Sequence, residues 1–547
     1  MNITKYAAGM ALSAALFASI NVNAQFVPAP PPKPSPQNWH ALDLTTDGYY
    51  GVSLAKAYAL LKGKKSKPVT VAVIDSGVDT LQKDLKSIFW VNTKEIPGNG
   101  IDDDKNGYID DIHGWNFLGG PGGQCDHNET TEEVREYNRL KGKYLGANTS
   151  TTADPKEEAY WQQVRTTYET TVNKSREELQ DLKPYMNILV GTSGFIKREL
   201  KLKPSDSFTM MDLGRITTPN DTVRECKNAW MSVFQQQGVE KSNADIIKGL
   251  SEYITKLSND VNPDLEARKR IVGDDPNNWE DKKYGSNQLK FPDAQHGTMV
   301  AGFIGAMRGN GYGIDGVADN VRIMAIKAVP NGDEYDKDIA YAIRYAVDNG
   351  AKIVNMSFGK KLSPHKDWVD AAYKYAAEHD VLLISAAGND NQDVDSKADY
   401  PNDTFADGSA ADADNVINVG ASGPKKDETL AAEFSNYGKK NVDVFAPGVK
   451  VTSVNTDGEF STEDGTSFAS PITAGIAALI LEYYPTLSSK QIKQAILGSA
   501  KPLTGVMVLK PGSKEEKVDF ATLSKTGGVV NAYEALLLAS KMKGERK

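Results

Sequence analysis

The chain of 547 residues is long enough for one large domain with an insertion, or for two to four domains of average size. Apolar residues make up 40% and charged residues 25%, the balance of an ordinary soluble globular protein. The net charge of -9 offers no electrostatic footprint for nucleic acid, so no such partner is expected, and the acidic excess reads as solubility and a capacity for cations.

Residues 1–24 have the layout of a secretory signal peptide: Lys5 near the start, an almost wholly apolar run from Ala7 to Ile20, and small residues at Val22-Asn23-Ala24. That run is too short for a comfortable membrane span, and no later stretch reaches the length needed. The mature chain, starting at Gln25, is therefore expected to be exported, to a periplasm or the outside, with no membrane span and no cysteine for a lipid anchor. Residues 25–44 form a Pro-rich linker, densest from Pro28 to Pro36 and expected to be extended.

From Thr70 a set of short apolar runs reads as buried strands. They are Thr70–Asp75, Val321–Ile326, Ala351–Met356, Val381–Ser385 and Asn415–Gly420. Helical patterns fall between or after them at Asp336–Asn349, Lys366–His379 and Phe468–Tyr484. Strands alternating with helices of this length predict an α/β fold, a doubly wound parallel sheet with helices on both faces. The stretch 119–289 breaks the rhythm: it is polar and without strand-like runs. Trp161, Val164, Tyr168, Val172, Leu179 and Leu182 follow helical spacing, as do Ile246, Ile247, Leu250, Ile254 and Leu257. The expected organisation is a core of 45–118 and 290–540, a largely helical insertion over 119–289, and a tail of 541–547. The insertion returns just before His296, so it reads either as a wall restricting access to that region or as a remote annex. Cys125 and Cys226 lie within it. In an exported chain they read either as a disulfide, if their Cα atoms come within about 7 Å, or as two buried thiols.

Three segments share one chemical logic. Val73-Ile74-Asp75-Ser76-Gly77 places a carboxylate at the end of a buried strand, where sites gather in open α/β sheets. His296-Gly297-Thr298 places an imidazole at the start of a helix of small residues, and Gly465-Thr466-Ser467 places a hydroxyl at the start of another. A helix N-terminus offers free N–H groups and a positive dipole end to a developing oxyanion. A serine hydroxyl needs an imidazole to take its proton, and the imidazole needs a carboxylate to hold its tautomer. Each segment alone has a plain structural reading as a cap, a turn or a helix start. Together, with one His-Gly-Thr segment among six histidines and in the order Asp, His, Ser, they carry more.

The chain resembles the subtilases, through Asp75-Ser76-Gly77, His296-Gly297-Thr298, and Gly465 to Pro471. The resemblance implies a subtilisin-like serine endopeptidase acting on protein or peptide substrates. It assigns Asp75 as the His-orienting carboxylate, His296 as general base and acid, and Ser467 as nucleophile. It makes Asn389, in Ala386-Ala387-Gly388-Asn389, the side-chain donor of the oxyanion hole. Ser357, Phe358, Gly359, Ala387 and Gly388 become substrate-binding residues lining the first specificity pocket. It also leads one to expect an N-terminal propeptide, for which the twenty or so residues after Gln25 leave no room. Met299 stands where many members carry a second histidine. A subtilase-shaped binding or scaffold protein without activity, or an esterase or amidase of small substrates, are the alternative functions.

A second cluster runs from Asn99 to Asp111. Asp102, Asp104 and Asn106 stand at the first, third and fifth positions of an EF-hand-type loop, with Gly107 at the sixth, the Tyr108 carbonyl at the seventh and Asp110 at the ninth. His113 occupies the twelfth position, where a bidentate Glu belongs. Five aspartates within ten residues repel one another unless something neutralises them, so a structural calcium is the expected cofactor, against an acidic solvated turn.

Overall fold

A computed structural model describes residues 36–145, 154–239, 241–409 and 412–546. The expected signal peptide and the linker prolines before Pro36 lie outside these residues. Two compact units result, one of which is Arg165–Pro263; the other contains 36–164 and 264–546.

The larger unit is built on a parallel seven-stranded sheet in the order β2-β3-β1-β4-β5-β6-β7. The strands are β1 (Val69–Asp75), β2 (Gly114–Asn116), β3 (Val321–Lys327), β4 (Ile353–Met356), β5 (Leu382–Ala386), β6 (Val416–Ser422) and β7 (Val444–Pro447). Side chains of a strand alternate between the two faces, and here both faces are covered, so the runs are apolar throughout. Val71 and Val73 of β1 and Ile323 of β3 pack on one face with Val300, Ile304 and Ile476. Ala72, Ile74 and Met324 pack on the other with Ile339, Ile343 and Val369. Four helices supply those layers: α1 (Gln295–Gly305) and α4 (Thr466–Tyr483) on the first face, α2 (Asp336–Asp348) and α3 (Lys366–Glu378) on the second. The doubly wound sheet expected from the sequence is therefore present, with β2 and β7 as additional strands.

Arg165–Pro263 is helical and has its own core, where Leu179, Leu182, Trp230, Phe234, Leu250 and Leu257 are buried together. Side-chain caps start its helices: Asn220 accepts from the Val223 N–H, and Ser242 forms a capping box with Asp245. The compact unit is narrower than the 119–289 span read from the sequence, because 119–164 and 264–289 group with the sheet. Trp161 and Val164, on the helical stripe, pack with Leu140 and Leu362 instead. Cys125 and Cys226 are free thiols, each buried in a separate apolar cluster, so the disulfide reading is not realised. No helix of the described residues is long and apolar enough to cross a membrane.

Residues 264–289 are held to the sheet unit by apolar contacts of Val272, Trp279 and Tyr284 and by a buried charge network. Arg268 donates to Asp338 at 2.6 and 2.8 Å and to Asp274 at 2.7 and 3.0 Å. Lys337 donates to Asp274 at 2.8 Å, and the Tyr284 hydroxyl to Asp338 at 2.8 Å. All four charged side chains are essentially inaccessible. Removing one member of such a network leaves an uncompensated buried charge, which costs about 3–5 kcal/mol. Arg268→Met is accordingly expected to lower unfolding free energy by about that amount, measured by denaturant titration; a loss below about 1 kcal/mol would contradict this account of the anchor.

Candidate functional site

Asp75 is the last residue of β1, the strand at which the order of the sheet reverses, and is 1% exposed. Its Oδ1 lies 2.7 Å from His296 Nδ1, in the first turn of α1, and also accepts the Ser76 N–H at 2.7 Å. A carboxylate can only accept, so Nδ1 carries the proton and Nε2 is left as the basic nitrogen. Burial lowers the imidazole's pKa, but the adjacent Asp75 charge and, more weakly, Glu463 outweigh it and hold the group above the ordinary 6.5. The close approach requires a residue without a side chain after the histidine. A Cβ on Gly297 would lie 2.1 Å from the Gly77 carbonyl oxygen.

Ser467 is the second residue of α4, and Phe468 beside it packs its ring against the His296 ring with centroids 5.5 Å apart. Pro471 stands four residues on and has no N–H, so the Ser467 carbonyl lacks its helical partner. The Ser357 hydroxyl takes that place, donating at 2.8 Å. Ser357, Ser470 and Asn355 form a buried polar network at 2.9–3.0 Å that ties α4 to the end of β4. The Ser467 hydroxyl itself points at the Ser357 carbonyl, 3.3 Å away, and not at His296.

Asn389 follows β5. Its Oδ1 accepts both the Thr466 N–H and the Thr466 hydroxyl at 2.9 Å, capping α4 from outside the helix. That pairing sets the orientation of the amide, and its NH2 end, which these contacts do not engage, can only donate. Gly388 N–H in turn donates to the Thr466 hydroxyl at 3.2 Å. The structure thus brings Asp75, His296, Ser467, Asn389, Ser357, Phe358, Gly359, Ala387 and Gly388 to the C-terminal edge of one sheet. Residues that motif reading left without a role also shape the edge. Lys327, buried at the end of β3, donates to the Ser76 carbonyl at 2.7 Å and to Asp293 at 2.9 Å, and Asp293 precedes His296 by one helical turn. Only its position in an otherwise apolar strand run distinguishes Lys327 in the sequence.

The acidic loop is arranged differently from an EF-hand. Carboxylate oxygens of Glu95, Asp102 and Asp104 lie within 4.8 Å of one another. Asn106 Oδ1 accepts the Tyr108 N–H at 2.8 Å, alongside this group. Asp110 faces elsewhere: its carboxylate accepts the N–H groups of Gly98, Asn99 and Gly100 at 2.8–3.2 Å. His113 Nδ1 lies 2.8 Å from the Trp90 carbonyl oxygen. Glu95 comes from seven residues upstream of Asp102, outside the periodicity of any loop motif, and so carried no signal.

A subtilase family model matches residues 66–522. The chain is 36% identical over 297 residues to the "Thermophilic serine proteinase" of Bacillus sp. (strain AK1), covering 53% of this chain and 65% of that protein. It is 37% identical to "Subtilisin DY" of Bacillus licheniformis, covering 38% of this chain and 71% of the other, and 34% identical to the "Cell wall-associated protease" of Bacillus subtilis (strain 168), covering 43% and 24%. The chain thus spans less than two thirds of the length of the first and last of these relatives.

Because the Asp75 charge is what holds the imidazole up, Asp75→Asn is expected to lower the His296 pKa below that of the wild type. Titration of the ring protons by NMR reads this directly. An unchanged pKa would mean that the 2.7 Å contact does not persist in solution.

Proposed function

Because the chain belongs to the subtilase family, we propose that it is an exported serine endopeptidase hydrolysing peptide bonds of protein or peptide substrates. The observation that carries this reading is the 2.7 Å pairing of a buried carboxylate with the imidazole whose ring faces the residue next to Ser467. Export is supported by the layout of residues 1–24.

In this reading, a bound substrate carbonyl displaces the weak Ser467–Ser357 contact, and the Ser467 hydroxyl turns to His296 Nε2. Nε2 takes the proton as the oxygen attacks, and Asp75 stabilises the imidazolium that forms. The oxyanion receives hydrogen bonds from the Ser467 N–H, unpaired at the start of α4, and from the Asn389 amide, whose other end is held by Thr466. The imidazolium then protonates the leaving amine, and water repeats the sequence on the acyl-enzyme. A fluorophosphonate is expected to label the wild type and not Ser467→Ala. Ser467→Ala and His296→Ala should each lower kcat on a peptide substrate by about 10⁶-fold, with the double variant scarcely worse. Activity should rise with pH through a midpoint above 6.5, since the base must be neutral and its pKa is raised. Full activity in either single variant would overturn the assignment.

We also propose that Glu95, Asp102 and Asp104 hold a structural calcium, with the Asn106 and Tyr108 oxygens as further ligands. Calcium takes oxygen ligands at about 2.3–2.6 Å, so ligand oxygens on one ion stand up to about 5 Å apart. The 4.8 Å grouping fits that limit. Among the described residues none of the three carboxylates has a cationic partner, which supports the need for an ion. The ion would brace the loop that packs before β2. A ligand bound only by the folded state stabilises by about 2.7 kcal/mol at a hundredfold excess over its Kd. A chelator should therefore lower Tm, and Asp102→Ala with Asp104→Ala should abolish the response. Identical melting of the wild type with and without chelator would remove the calcium.

A further inference from the structure

The paired part of β4 and β5 ends at Met356 and Ser385. Beyond it the two segments are no longer paired in the ladder, at the edge where ligands enter open α/β sheets. The β4 side continues through Ser357, whose carbonyl lies 3.3 Å from the Ser467 hydroxyl, to Gly359. The β5 side continues through Ala387 and Gly388 to Asn389. The crevice between them begins at the hydroxyl and the amide that would meet a substrate carbonyl. Its far end is closed by Tyr400, which exchanges backbone hydrogen bonds with Lys360 at 2.8 and 2.9 Å. The residue before Tyr400 is Asp399.

The Asp399 carboxylate reaches both walls. A Cβ on Gly388 would lie 2.5 Å from its Oδ2, and a Cβ on Gly359 would lie 3.5 Å from the same oxygen. Both walls are glycines where they approach the carboxylate, and the Asn436 amide lies beside it, 2.3 Å from the same Gly388 Cβ position. Its polar contacts are few: Oδ1 accepts the Tyr400 N–H at 3.2 Å, and Oδ2 receives a long 3.4 Å contact from the Asn436 amide. Among the described residues no Lys, Arg or His lies within ion-pair distance of it. Elsewhere in the same unit some sequestered acids are matched, Asp338 and Asp274 by Arg268 and Lys337, Glu132 by Arg135 and Lys360, while Glu482, Asp403 and Asp111 are buried with no ion-pair partner among the described residues. Burial raises the Asp399 carboxyl to about 7, with the charges of Asp390 and Asp333 adding to the effect and that of Lys361 opposing it. A half-buried carboxylate held without a counter-ion is costly, and a cation entering the crevice removes the cost.

We propose that this crevice receives the substrate side chain on the acyl side of the scissile bond, and that Asp399 at its end selects lysine or arginine there. The reach is set by the chemistry. The attacked carbonyl must sit between Ser467 and Asn389, so the side chain one bond away enters next to Gly388, with Asp399 ahead of it. An apolar side chain of similar length would strip water from the carboxylate and return nothing; an acidic one would be repelled. The proposal rests on the serine-peptidase reading above and adds the substrate class.

The test uses the full chain and peptide substrates that differ only in the residue before the scissile bond. Arginine and lysine substrates are expected to exceed the phenylalanine substrate in kcat/KM by about 10²-fold, with glutamate the poorest, as expected when a desolvated charge pair is gained or lost. Asp399→Asn should lower the basic substrates by about 10²-fold, leave phenylalanine within about threefold, and leave the rate of fluorophosphonate labelling unchanged. A wild type that is labelled and hydrolyses peptides but prefers phenylalanine, or shows no preference, overturns the pocket and leaves the peptidase reading standing. A wild type that is never labelled overturns both. If Asp399→Asn does not fold, the wild type decides alone. Benzamidine should protect Ser467 from labelling where benzyl alcohol at equal concentration does not; equal protection by both, or by neither, overturns the proposal.

Discussion

The register of the parallel sheet is the constraint on which the site depends. Val73 of β1 aligns with Asn355 of β4, and Asn355 with Ile384 of β5, so three strands end nearly level. Parallel strands all finish at one edge, and the segments that follow them are delivered together: Asp75, Ser357 to Gly359, and Ala387 to Asn389. A helix that starts at that edge and leads away from it presents its N–H end there, as α1 and α4 do. His296 and Ser467 therefore meet Asp75 and Asn389 without any long-range contrivance, although 221 residues separate Asp75 from His296.

The edge is then made rigid by groups doing two tasks at once. Asn389 caps α4 with one end of its amide and keeps the other end as a donor. Pro471 withdraws an N–H from the helix, and the carbonyl left over becomes the acceptor that fixes Ser357. Lys327 neutralises Asp293 and steadies the loop after Asp75. Each case follows from the rule that a buried polar group must find a partner, applied where the regular ladder of hydrogen bonds stops.

The same rule separates structural charges from those that face outward. The Arg268, Asp274, Asp338 and Lys337 network is complete within the unit. So is the pairing of Lys360 with Glu132 and Asp336, at 2.8 Å each. Other buried carboxyls, among them Glu482, Asp403 and Asp111, stand without an ion-pair partner among the described residues and are pushed up by burial. Two places, the Glu95, Asp102 and Asp104 group and Asp399, are proposed to meet a cation. In both, carboxylates are crowded or sequestered with no cation beside them. A metal ion in one case and a substrate cation in the other are the proposed complements.

Much of the fold was legible in the residues. Apolar runs with no alternation marked strands covered on both faces, and β1, β3, β4, β5 and β6 lie where those runs predict. Helix starts at His296 and Ser467 were readable from small-residue segments beginning beside a polar group. Those are local properties, set by spacing along a few residues. What only the tertiary structure decided are the juxtapositions between segments far apart in the chain. Glu95 joins Asp102 and Asp104 because the chain folds back on itself, while Asp110, in step with the loop motif, turns to the N–H groups of Gly98 to Gly100. Cys125 and Cys226 are buried in separate cores, which no count of cysteines reveals. Asp399 stands in a polar stretch that reads as an ordinary loop, and its bearing on Gly359 and Gly388 exists only once β4 and β5 lie side by side. Local pattern is written along the chain; the partner of a charge is a matter of distance in space.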